Sequence, residues 1–279
     1  MTNFSGNISK MRVSVSRSNV AQYQLPIGES TVQMNDLIGH NISVDYRSQI
    51  NCIHCGRQTN KSFSQGYCYP CMTSLAQCDT CIIKPEQCHY DQGTCREPSW
   101  GEENCLTGHF VYLSNTGNTK VGITRHVSDG VSSRWIDQGA SQALPILRVE
   151  NRLMSGLVET ALKSQIADKT NWRKMLQGEP ELFDLTALRD ELLANAEPEL
   201  EAIKQQYGLQ SVQSIDSKVL NIHYPVLAYP EKIKSINLDK ELGFSGKLMG
   251  IKGQYLLLDE NRVINIRKYS GYELSLNLT

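Results

Sequence analysis

The chain has 279 residues, 40% of them hydrophobic and 20% charged, and its 28 lysines and arginines against 29 aspartates and glutamates leave a net charge of −1. That length suits two or three compact units, and the charge balance excludes a global basic field, so any basic surface must be a local patch. No apolar run approaches the roughly 20 residues of a membrane span, and the opening "MTNFSGNISKMRVSVSRSNV" lacks the charge, apolar centre and cleavage site of a secretory signal, so the expectation is a cytoplasmic protein with no membrane partner.

Residues 1–50 carry short β-branched runs, "RVSVS", "STVQM" and "NISVDY", separated by turn-forming "LPIGES" and "LIGHN", and read as an N-terminal β-unit. Residues 51–105 hold all nine cysteines with little apolar periodicity, so a metal rather than a core is expected to order them. Residues 106–178 read as an α+β core that opens on the hairpin "HFVYLSNTGNTKVGITR" and reaches a helical run, "SGLVETALKSQIADK". Residues 179–210 form an acidic connection of two short helices, with Pro180 and Pro198 near their starts. From 211 to 279 strand-and-turn texture returns as a C-terminal β-unit, with "DEN" as a hairpin turn between "YLLL" and "RVINI". The fold class is α+β.

The cysteines fall into two groups. Cys52-x2-Cys55-x12-Cys68-x2-Cys71 is a pair of knuckles whose thiolates can converge on one tetrahedral zinc, and a reducing compartment disfavours disulfides. The second group, Cys78-x2-Cys81-x6-Cys88-His89-x5-Cys95, has more candidates than one site needs, because Cys105 follows nine residues on. The expected ligands are Cys78, Cys81, Cys88 and Cys95, with His89 and Cys105 as substitutes. Two structural zinc ions are expected, an iron–sulfur cluster being the competitor at the second site. Between the knuckles, Arg57, Lys61, Phe63, Tyr67 and Tyr69 mix basic and aromatic side chains that either touch nucleic acid or form a solvated loop.

The run "FVYLSNTGNTKVGITR", followed by "RW" and then a glutamate within a helix, resembles the GIY-YIG nuclease fold in a divergent form, over roughly 109–175. The resemblance implies a small antiparallel sheet with helices and a phosphate-binding site. Tyr112 takes the place of the family's first tyrosine, while Lys120 stands where the second belongs, ahead of Gly122, which would let backbone approach a phosphate. The family's arginine matches Arg134, with Arg125 second, and its metal-binding glutamate matches Glu159, at the edge of the apolar face formed by Leu157, Val158, Ala161, Leu162 and Ile166. Asn171 matches the closing polar residue, and His126 is what remains of the loop histidine. More widely, "CIHCGR", "QGYCYPC", "CHYDQGTCREPSWGE", "RWIDQGA" and "DKTNWR" resemble a bacterial family of uncharacterised zinc-binding proteins with this architecture over nearly the whole length.

The expected function is a zinc-stabilised protein that binds RNA or DNA through Lys120, Arg125 and Arg134 on a degenerate phosphate-binding core. The rivals are an endonuclease using Tyr112, Lys120, Arg134 and Glu159, with Mg2+ or Mn2+ at Glu159, and a zinc-shaped scaffold for a protein assembly.

Overall fold

The computed structural model describes residues 3–163, 165–166 and 171–278. The first fifty carry β1 (Asn3–Asn7), β2 (Arg12–Val15), β3 (Ala21–Ile27), β4 (Ser30–Gln33) and β5 (Asn41–Ile50). In β3 the side chains of Ala21, Tyr23, Leu25 and Ile27 alternate into the core, as the two-residue strand period requires. The strands β2, β3 and β4 close a three-stranded antiparallel sheet. The cysteine segment has two short helices, α1 (Tyr69–Ser74) and α2 (Pro98–Asn104), joined by single 3-10 turns.

The middle of the chain builds β6 (His109–Asn115), β7 (Thr119–Thr124), α3 (Ser133–Asp137), β8 (Gln142–Val149) and α4 (Arg152–Lys163). Residues 164 and 167–170, which include the "DKT" of "DKTNWR", lie outside the described residues. The helices α5 (Trp172–Leu176), α6 (Leu185–Asn195) and α7 (Glu197–Tyr207) follow. Pro198 sits in the first turn of α7 as expected, whereas α6 starts at an Asp184 cap and Pro180 starts no helix. The chain ends in β9 (Val212–Ser214), β10 (Leu220–Asn221), β11 (Lys234–Ser235), β12 (Gly243–Lys252), β13 (Tyr255–Leu258), β14 (Arg262–Asn265) and β15 (Tyr272–Leu278). The "DEN" turn joins β13 to β14, with Glu260 and Asn261 at positive φ.

The core sheet runs β10-β8-β6-β7, with β9 also on β8, so β7 is an edge strand. Its register sets Tyr112 opposite Gly122 and Ser114 opposite Lys120. The two terminal stretches, expected as separate β-units, share one seven-stranded sheet in the order β1-β15-β5-β12-β13-β14-β11. Pairing across more than two hundred residues, such as Phe4 with Leu276, leaves no local pattern to read.

Two apolar cores flank the five-stranded sheet. On one face Tyr112, with Trp135 and Ile136 of α3, joins Met11, Tyr23, Leu248 and Ile264 of the outer sheets. On the other, Val111, Leu113, Val121 and Ile123 pack with Val158 and Leu162 of α4 and with Leu192 and Leu200 of α6 and α7. The outer sheets also hold α3 by polar ties: Asp137 pairs with Lys10 at 2.6 Å and accepts from Gln254 Nε2 at 2.8 Å, and Tyr224 donates to the Ala140 carbonyl at 2.8 Å. The cysteine segment docks on α4 at Gly156, where the backbone of the Pro85–Gln87 turn takes the space of a side chain. Beside it, Arg152 donates from Nη2 to the Ile82 carbonyl at 2.5 Å and from its backbone N–H to the Cys105 carbonyl at 2.8 Å. Among the described residues no helix is long and apolar enough to cross a membrane.

Alanine at a helical glycine ordinarily gains up to about 1 kcal/mol. At position 156 its Cβ would meet the Glu86 nitrogen and stand 2.7 Å from the Pro85 carbonyl carbon, both backbone atoms that cannot rotate away. Gly156→Ala is therefore expected to destabilise by about 1–3 kcal/mol, read as a lowered urea midpoint. A raised midpoint would show that the segment does not seat on α4 there.

Candidate functional site

The sulfurs of Cys52, Cys55, Cys68 and Cys71 all lie within 4.8 Å of one another, with Cys55 and Cys68 3.8 Å apart. A tetrahedron with metal–sulfur bonds of about 2.3 Å has edges of about 3.8 Å, so this cluster fits one metal ion. The knuckle backbone prepares the charge. Burial opposes ionisation of Cys52, but N–H groups of Cys55, Cys68 and His54 point at its sulfur and outweigh burial, drawing it down to about 6. Cys71 is pushed up by burial and by the three sulfurs beside it, as expected where four thiols share one site. Between the knuckles, Lys61 lies over the Phe63 ring at 5.3 Å and Phe63 meets the exposed Tyr69 edge-on at 5.6 Å. Ser64 and Gln65, both at positive φ, fold the tip of this loop back.

The second group divides differently from expectation. Cys78 packs against the first cluster, next to Leu75, while Cys81, Cys88 and Cys95 line a small cavity together with Cys105. Asp79, Cys81 and His89 also bring ligand atoms within 4.8 Å of one another. A 3-10 turn at Ala76–Cys78 places Cys78 on one side of the segment and Cys81 on the other, which the x2 spacing alone does not reveal.

A cleft of about 640 Å³ separates the cysteine segment from the edge of the core sheet. One wall is the segment, with Ser64, Gln65, Cys78, Asp79 and Ile82; the other is the edge strand β7 from Lys120 to Thr124, with Arg125 just after it. Arg134 of α3, Glu159 and Lys163 of α4, Gln138, Arg152 and Arg267 complete it. The structure thus brings Lys120, Arg125, Arg134 and Glu159 to one cleft. Tyr112 lies beneath its surface, fully buried, its ring edge-on to Trp135 with centroids 5.7 Å apart and its hydroxyl donating to Gln138 Oε1 at 3.1 Å. Burial pushes Tyr112 up to about 12, Arg134 pulling down by charge and hydrogen bond and Glu159 pushing up, so at neutral pH it is a phenol held among the cleft's polar groups. Gly122 serves this ring: a Cβ there would lie 2.7 Å from Tyr112 Cζ and Oη, so the missing side chain admits tyrosine rather than a phosphate. Asn171 caps α5, accepting from the backbone of Arg173 and Lys174, and is not among the residues lining the cleft; His126 accepts from Arg125 Nε at 2.8 Å.

Six cationic side chains therefore face two carboxylates, Asp79 and Glu159, in a chain of net charge −1. Arg152 and Arg267 are pulled down first by burial, with Arg134 adding to the effect in both, which puts both guanidinium groups in the field of Arg134. Sequence reasoning missed Arg152, Lys163, Arg267 and Gln138. Arg267 arrives from a turn at Ile266–Tyr269 more than a hundred residues from the hairpin, and nothing local marks it.

Glu159 pairs with Lys163 at 3.5 Å, and the cleft's remaining carboxylate, Asp79, is held by Arg96 at 2.8 Å. A hard divalent cation wants several oxygen ligands, and this surplus of positive charge does not fit a resident magnesium or manganese ion.

A family model described as "Protein of unknown function (DUF2797)" matches residues 39–274, which takes in both cysteine groups, the cleft and most of the seven-stranded sheet. No curated protein and no solved structure matches the chain.

A metal ion at Cys52, Cys55, Cys68 and Cys71 would tie the segment's first half, so chelation should open 52–71 to protease while β6 and β8 stay protected. Equal cleavage with and without chelator would speak against a metal there. His109, at the start of β6, is fully buried; Nδ1 donates to the Thr107 carbonyl at 2.7 Å and Nε2 has no hydrogen-bond partner among the described residues. Burial chiefly, with Arg152 and Arg125 adding to it, lowers its value from 6.5 to about 4. The unfolded chain then takes up the proton first, so stability falls as pH drops from about 6.5 to about 4, by up to about 3 kcal/mol. Urea midpoints at pH 7 and 4.5 should differ less in His109→Phe than in the wild type; an equal difference removes this histidine from the account.

Proposed function

The chain belongs to the DUF2797 family, whose description assigns no activity, and from the chemistry of the cleft we propose that the protein binds the phosphate backbone of nucleic acid there, RNA or single-stranded or branched DNA. The observation that carries this is the crowding of Arg134, Arg152 and Arg267, with Lys120, Arg125 and Lys163, around one open cleft in a chain with no net basic charge. Like charges held together by a fold repel one another, and a polyanion relieves that repulsion while accepting guanidinium hydrogen bonds. The exposed Lys61 and Tyr69, with the half-buried Phe63 between them, lie on and beside the loop whose tip lines the cleft, and supply ring faces for unpaired bases.

The resemblance to GIY-YIG nucleases fits this reading as a divergent, phosphate-holding relative. Arg134 and Glu159 both lie within electrostatic reach of Tyr112, which is what favours endonuclease activity as the second reading. Holding is favoured over cutting because Tyr112 keeps its proton, Lys120 replaces the second tyrosine, and the cleft does not fit a standing divalent cation. Zinc at the first four-thiol cluster fits the donor set, and with all four positions filled by protein its part is to hold one wall of the cleft in place.

Labelled single-stranded and branched oligonucleotides are expected to bind at about 50 mM salt and to weaken steeply toward about 200 mM. Arg134→Ala should weaken binding about tenfold and lower the salt slope by about one. Glu159→Gln separates the two readings: removing a repelling carboxylate should tighten binding, with substrate intact in magnesium or manganese. Absence of binding at low salt sinks the proposal. Metal-dependent cleavage that disappears in Glu159→Gln would favour the nuclease instead.

A further inference from the structure

From Ala76 to Cys105 the chain is ordered without an apolar core. It runs through 3-10 turns at Thr80–Ile82, Pro85–Gln87 and Tyr90–Gln92 and then α2, and its buried apolar side chains amount to Ala76, Pro85 and Cys105. Fixing each residue's backbone costs conformational entropy, so some other interaction must offset it. Apart from Cys78, which packs on the first cluster, none of these residues joins an apolar cluster of the fold.

Within this segment four cysteines border one small cavity. Cys81, Cys88, Cys95 and Cys105 line a cavity of about 20 Å³, room for a single water-sized body and too small for an iron–sulfur cluster. Each cysteine comes from a separate piece of chain. Cys81 lies in the first turn and Cys88 follows the second; Cys95 follows the bend at Gly93, where φ is 70°; Cys105 ends α2. On α2, Gly101 leaves the approach open, since a Cβ there would already stand 3.4 Å from Cys95 Sγ and 3.3 Å from the Tyr90 ring.

We propose that Cys81, Cys88, Cys95 and Cys105 bind one zinc ion as a second, four-thiolate site.

Asp79 and His89 line the same cavity but are committed elsewhere. One Asp79 oxygen pairs with Arg96 at 2.8 Å and faces His89 Nε2 at 3.4 Å, the other accepts the Thr80 N–H at 2.6 Å, and His89 Nδ1 bonds Thr94 at 2.7 Å. Thiolates are also the ligands that zinc prefers in closed sites. The four sulfurs are not gathered within 4.8 Å as those of the first cluster are, so the ion draws at least one turn inward. Arg152, bonded to the Cys105 carbonyl, lies within the field of Cys81 and Cys105 and offsets part of the site's negative charge.

The test is metal content of the full-length protein purified from zinc-supplemented cells. Two zinc ions per chain are expected in the wild type, in Cys78→Ser and in His89→Gln, and one in Cys88→Ser and Cys105→Ser. One zinc or bound iron in the wild type, two zinc ions in Cys105→Ser, or a loss in Cys78→Ser or His89→Gln would overturn the assignment. Should Cys105→Ser not accumulate in folded form, alkylation of the wild type followed by mass spectrometry decides: Cys105 should react only after chelation. Reaction of Cys105 at one rate with and without chelator also overturns it.

Discussion

The cleft exists because α4 and the Pro85–Gln87 turn approach each other with no side chain between them, at Gly156. That contact seats a segment with almost no apolar interior against a helix whose other face is fully packed by Val158 and Leu162. Arg152 completes the joint by donating to carbonyls of both Ile82 and Cys105. Anything that orders the cysteine segment is therefore transmitted to α4, and with it to Glu159 and Lys163.

The opposite side of the cleft is positioned from the chain's two ends. Asp137, at the end of α3, is gripped by Lys10 and Gln254, and the loop after α3 by Tyr224, so the helix that carries Arg134 is fixed by loops and turns far away in sequence. This gives the seven-stranded sheet a purpose in the site without any of its strands touching the cleft directly. Arg267 comes from a turn of the same unit. An array of arginines from α3, α4 and the C-terminal unit is stable only on so rigid a frame, because their mutual repulsion favours spreading apart.

Tyr112 and Gly122 are a pair before they are a site. The glycine is the space the tyrosine ring occupies, and the buried ring then presents its hydroxyl to Gln138 and Arg134. Lys120, two residues earlier on the same face of β7, brings a cation to the position where the resemblance expects a second phenol. A lysine at that place adds to the positive charge of the cleft.

Local spacing by itself determined what depends on near neighbours. The Cys52, Cys55, Cys68 and Cys71 cluster follows from two x2 knuckles, the β6–β7 hairpin from its alternating apolar residues and turn, and the start of α7 from Pro198. Lys120, Arg125, Arg134 and Glu159 were legible only through a resemblance, and they lie within forty residues of one another along the chain. Only the tertiary structure decided the rest: that Cys105 rather than Cys78 shares a cavity with Cys81, that the terminal strands form one sheet, and that Arg267 reaches the cleft. Those outcomes depend on how distant segments pack, and packing energy is set by complementary shape across the fold, which no period or spacing along the chain records.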